Sequence, residues 1–153
     1  MTVYSTNLIS TRVPPVAPAQ AGIVHCAYGE TDNISAALAA DDIIKLAVLP
    51  ARCLPVDLIV DSDDLDSNAT PTLVMSAGIL NSAGDDLETE LLISGSDVGQ
   101  AGGIARMDSG LAYTNVVSDS DRTVAIKVGT GAATANTGKI RACFMYRAVE
   151  YGY

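Results

Sequence analysis

Apolar and polar residues alternate with a period of two along most of this chain, the pattern of half-buried strands. Ile23 to Tyr28 is a first run, closed by turn residues from Gly29 to Asn33. Asp42 to Leu49 sets Ile44, Leu46 and Val48 on one face against Ile43, Lys45 and Ala47 on the other. Runs at Pro55 to Val60, Thr72 to Leu80, Leu87 to Ile93, Ala112 to Val117 and Thr123 to Thr130 follow. In the last run, Lys139 to Val149, Ile140, Ala142, Phe144 and Tyr146 oppose Arg141, Cys143, Met145 and Arg147. Pro50, Pro55 and Pro71 exclude a helix of ordinary length through the middle of the chain.

Three segments break the alternation. Ile34 to Ala40 reads either as a helical turn or as a strand edge. Ser94 to Met107 suggests a short helical turn near 94–104, capped by Ser94 or Ser96 and held to one or two turns by Gly99, Gly102 and Gly103. Gly129 to Gly138 is a small-residue loop, expected to be mobile. The cadence of about eight strands with frequent turn signals predicts an all-β fold, a single jelly-roll-like β-sandwich.

Residues 1–21 stand apart as an extended, proline-rich arm, and 22–153 form the sandwich domain. Pro14, Pro15 and Pro18 enforce extended geometry, while Val3, Tyr4, Leu8 and Ile9 give the arm apolar grip for a neighbouring molecule. At the far end, Tyr151 and Tyr153 offer aromatic contacts of the same kind.

The chain has 153 residues, with no Trp and one Phe, so the core is built from Val, Ile, Leu and Ala. A net charge of −9 excludes the basic stripe that nucleic-acid binding requires. No stretch approaches a membrane span in length. Acidic residues crowd the interval from Asp57 to Asp97, whereas basic ones dominate after Arg106, an asymmetry able to orient the protein on a charged partner. Cys26, Cys53 and Cys143 have no framework spacing and read as buried, reduced, apolar residues.

Candidate chemistry is sparse. Asp61, Asp63, Asp64 and Asp66 supply hard oxygen ligands of the type Ca²⁺ takes. The spacing departs from an EF-hand at Leu65 and at Asp66, and no closing Glu follows, so a solvated, self-capping turn is the simpler reading. His25 and Cys26 are adjacent and therefore point to opposite faces of a strand, which excludes them as a nucleophile–base pair. The glycines from Gly95 to Gly103 lack the Lys-Ser/Thr pair of a phosphate loop. No catalytic constellation, metal or cofactor is expected, and the chain is read as a non-enzyme.

Three phrases carry a family likeness: LPxxxxPVDLIVDSDDLD from Leu49 to Asp66, AGGIARMD from Ala101 to Asp108, and IRAxFxYR from Ile140 to Arg147. Together they resemble the small virion structural proteins of tailed bacteriophages described as head decoration or cement proteins. The resemblance spans roughly residues 23 to 149. It implies a jelly-roll or sandwich that dimerises or trimerises over the major capsid protein on the outer surface of the head, after assembly in the host cytoplasm. In that picture the arm, Arg141, Arg147, Tyr151 and Tyr153 become interface residues. Other virion parts (a head–tail connector, a neck or fibre-anchoring protein) share the look, and a Ca²⁺-dependent carbohydrate-binding module is a more distant alternative.

Overall fold

In the computed structural model, residues 3–5, 23–110 and 116–149 are described, and their strands pair into two sheets. The strands are β1 (Val3–Ser5), β2 (Val24–Glu30), β3 (Ile43–Leu49), β4 (Cys53–Ser62), β5 (Val74–Leu80), β6 (Leu87–Ser96), β7 (Gly103–Arg106), β8 (Arg122–Thr130) and β9 (Ile140–Ala148). One sheet has the order β1-β3-β8-β5-β6 and the other β2-β9-β4-β7. Every pairing is antiparallel except β1 with β3. With β1 set aside, the two four-strand orders are the double Greek-key wrapping of a jelly roll.

The core lies between the sheets. Leu58, Val60, Ile140, Phe144 and Tyr146 meet Leu46, Met75, Ile79, Val124, Ile126 and Val128 from the opposite layer. Phe144 stacks on Tyr146 with ring centroids 5.7 Å apart. Along β9 the alternation holds as read: Ile140, Ala142, Phe144 and Tyr146 are buried, while Arg141, Cys143, Met145 and Arg147 are more exposed.

The β3 alternation does not hold. A bulge between Lys45 and Ala47 inserts one residue, so Leu46 and Ala47 are both in the core, as is Leu49, while Val48 is only half-buried. One extra residue flips every later side chain to the other face.

Other segments also differ from expectation. Ile34 to Ala40 is neither helix nor strand: Ile34 makes an isolated bridge to Gly138, and Ile34 and Leu38 plug the core. The helical turn contracts to Val98–Gln100, because β6 continues through Ser96. Ser96 Oγ accepts the Val98 N–H, whereas Ser94 remains within β6. Gly103–Arg106 forms β7, which the preceding glycine pair hid. The Ala112 to Val117 run falls largely on residues outside those described, and Val116 and Val117 are exposed and not in a strand. Of the arm, Val3–Ser5 pairs in parallel with Ile43–Lys45 of the same chain. Leu8, Ile9, Pro14, Pro15, Tyr151 and Tyr153 lie outside the described residues.

Candidate functional site

Two regions gather the chemically capable side chains. The first is a knot of loops at one end of the sandwich, organised by Asp66. Its carboxylate is 1% exposed and accepts the N–H groups of Thr72 (2.7 Å), Leu73 (3.2 Å), Ala133 (3.0 Å) and Thr134 (2.9 Å). Burial by itself would raise its pKa. The four backbone donors outweigh that penalty and hold the carboxyl well below its ordinary range.

The other acidic residues of this loop have partners of their own. Asp61 Oδ2 and Asp63 Oδ1 both accept from Arg141 Nη1, at 2.9 and 3.0 Å. Asp63 Oδ2 takes the Lys139 N–H, and Asp64 Oδ1 takes the Asp66 N–H. The Arg141 contact, followed by the Lys139 N–H, lowers the Asp63 pKa. Asp61 and Asp63 share Arg141 while Asp64 and Asp66 are engaged with backbone N–H groups, and among the described residues no group of three or more His, Cys, Asp or Glu could hold a metal ion.

The knot also holds the Gly129 to Gly138 loop, which its small residues mark as mobile in the sequence. Asp66 grips it at Ala133 and Thr134, Thr72 Oγ1 donates to the Gly131 carbonyl, and Ile34 exchanges backbone hydrogen bonds with Gly138. A Cβ on Gly131 would sit 2.9 Å from the Leu38 carbonyl oxygen, so this close approach requires glycine.

The second region is the outward face of the β2-β9-β4-β7 sheet. Register places its side chains in rows that cross the sheet. One row runs Glu30, Arg141, Asp61 and Ile104, and the next runs Tyr28, Cys143, Ile59 and Arg106. Cys26 and Met145 follow beside Asp57, and Val24 stands opposite Arg147 at the end. Val24 (51% exposed), Tyr28 (57%) and Ile104 (72%) leave large apolar groups in water. Charge between them is mostly matched: Arg106 Nε donates to Asp57 Oδ2 at 2.8 Å, and Arg141 spans Asp61 and Asp63. Arg147 is exposed at the rim.

The acidic and basic halves of the sequence therefore do not form two poles. Arg106 meets Asp57, Lys127 meets Asp86 and Arg141 meets Asp61, because antiparallel pairing folds one half across the other.

Cysteine placement also differs from the sequence reading. Cys53 is buried, but Cys26 is exposed and Cys143 half-buried, with their Sγ atoms 2.7 Å apart. The signal available in the sequence was that Val24, Cys26 and Tyr28 share one side of β2, against His25, Ala27 and Gly29. His25 lies on the opposite side and stacks on Tyr146 at 5.5 Å, while its Nε2 has no hydrogen-bond partner among the described residues.

Two open grooves border these regions. One of about 650 Å³ passes Ser96, Asp97, Gln100, Ile104, Arg106 and Asp108. Another of about 420 Å³ passes Lys45, Glu88, Asp121 and Arg122. Among the described residues, neither is lined by His, Cys or an aromatic side chain.

No family model matches the sequence, and no curated protein matches it. Among solved structures, a chain in the capsid of Ralstonia phage GP4 is similar at 31% identity and a TM-score of 0.77, covering 96% of this chain and 98% of that one. A chain in the capsid asymmetric unit of cyanophage Pam1 is similar at 28% identity and a TM-score of 0.66, covering 94% and 97%.

Proposed function

Since this chain belongs to the family of phage capsid proteins represented in the Ralstonia phage GP4 capsid, we propose that it is a decoration protein that cements the head from outside. It is a virion structural protein, and its work is binding. The observation that carries the decoration reading is the outward face of the β2-β9-β4-β7 sheet. There Val24, Tyr28 and Ile104 stand exposed among side chains whose charges are mostly matched. Exposed apolar groups within a largely neutralised frame suit docking on another protein, since few charges need to be stripped of water without a partner.

The proposed partner is the major capsid protein, contacted across the junction between neighbouring subunits. Self-association as a dimer or trimer would multiply modest contacts by avidity on a repeating shell. The match over nearly the full length of both chains supports a capsid role for the jelly roll as a whole.

Electron microscopy of the particle tests the proposal. Density fitting this jelly roll on the icosahedral faces is the expected result. Density confined to the neck or tail would replace it with a connector or fibre-anchoring role.

A further inference from the structure

We propose that Cys26 and Cys143 are a built-in oxidation site, which closes to an intramolecular disulfide that staples the edge strand β2 to β9 on the outward face of the sheet. Cys26 is paired in register with Met145, so Cys143 is its diagonal neighbour, and the two side chains share one face. Their Sγ atoms are already 2.7 Å apart. A bonded pair sits at roughly 2.0 Å, so the two sulfurs are already close to bonding distance. Strand β2 and β9 pair continuously over seven residues without a bulge, so the backbone around both cysteines is regular.

The two thiols differ in access. Cys26 is exposed and open to a small oxidant, while Cys143 is half-buried behind it. The Cys26 contact, followed by burial, pushes the Cys143 thiol up to about 11. With a peroxide as oxidant, the Cys26 thiolate attacks the O–O bond, giving a sulfenic acid and hydroxide. The Cys143 sulfur then attacks the Cys26 sulfur, and water leaves as its proton is released. Two thiols and one hydrogen peroxide yield one disulfide and two waters. Such a pair stays open in a reducing cytoplasm and closes outside it.

Cys53 provides an internal control. It is buried, which denies an oxidant access, and desolvation raises its pKa, which disfavours the thiolate.

The experiment treats the purified full-length protein with hydrogen peroxide and reads intact mass and cross-linked peptides. The expected result is a loss of 2 Da, a peptide pair joining Cys26 to Cys143, and Cys53 left as a free thiol. Cys53→Ser should behave like the parent, whereas Cys26→Ser and Cys143→Ser should lose the 2 Da change. Oxidation should also raise the melting temperature by roughly 5–10 °C and slow amide exchange along Val24–Glu30. Links between two chains through Cys26, or thiols that persist in the folded protein, would overturn the assignment.

Discussion

At the scale of single residues, Asp66 shows how an acidic loop becomes architecture. Its buried carboxylate satisfies four backbone N–H groups from two different loops, so losing it strands several donors at once. In an unfolded chain the same group titrates near 4. Its folded pKa is depressed, so below about pH 4 the unfolded state binds more protons. The stabilisation is therefore complete above that pH and is lost as the pH falls further. Melting curves between about pH 7 and pH 3 should show Asp66→Asn melting lower at neutral pH and losing less on acidification. Asp63 and Asp86 are lowered too, chiefly by Arg141 and Lys127, so the acid slope should shrink without vanishing. An acid slope identical to that of the parent would refute the role given to Asp66. Gly131 belongs to the same knot. Gly131→Ala should cost about 1–3 kcal/mol in urea unfolding, because the new methyl presses on the backbone carbonyl of Leu38, which has no rotamer to yield.

Among the elements, β9 was the most legible, β3 was legible in extent but not in its facing, and β7 was not legible at all. Strand β9 keeps strict alternation, so the buried set could be named from spacing alone. In β3 the bulge at Lys45 to Ala47 breaks the period, and nothing in a run of apolar residues marks where the extra residue sits. The arm behaves differently again. Among the described residues, its strand adds to the edge of β3 through three residue pairs, Val3–Ser5 with Ile43–Lys45. Deleting residues 1–21 should therefore leave the sandwich folded, with its β-sheet circular dichroism retained, while weakening attachment to capsids. Loss of the folded signal would show that the arm belongs to the core.

For the whole molecule, the proposed docking surface is the outward face of the β2-β9-β4-β7 sheet. Tyr28 and Ile104 are largely exposed and lie outside the buried core, so replacing both with Ala should change stability by less than about 1 kcal/mol. The same double variant should bind capsids stripped of the protein at least roughly tenfold more weakly, the scale expected when anchoring side chains are truncated. Cosedimentation with stripped heads reads this directly. Equal binding by the variant and the parent would move the docking surface elsewhere on the molecule.

The sequence by itself determined the all-β class, the approximate strand positions and the absence of a recognisable catalytic motif, because strand alternation, proline and turn residues are local signals. It also brought the phage resemblance, through three phrases that stand on β4, β7 and β9. Only the tertiary structure decided which distant residues meet. Cys26 and Cys143 are 117 positions apart, and Asp66 joins loops separated by more than sixty, yet each contact is set by strand order and register. The separation of acidic and basic residues along the chain vanished for the same reason. A jelly roll lays late strands beside early ones, so charges far apart in sequence become neighbours in space.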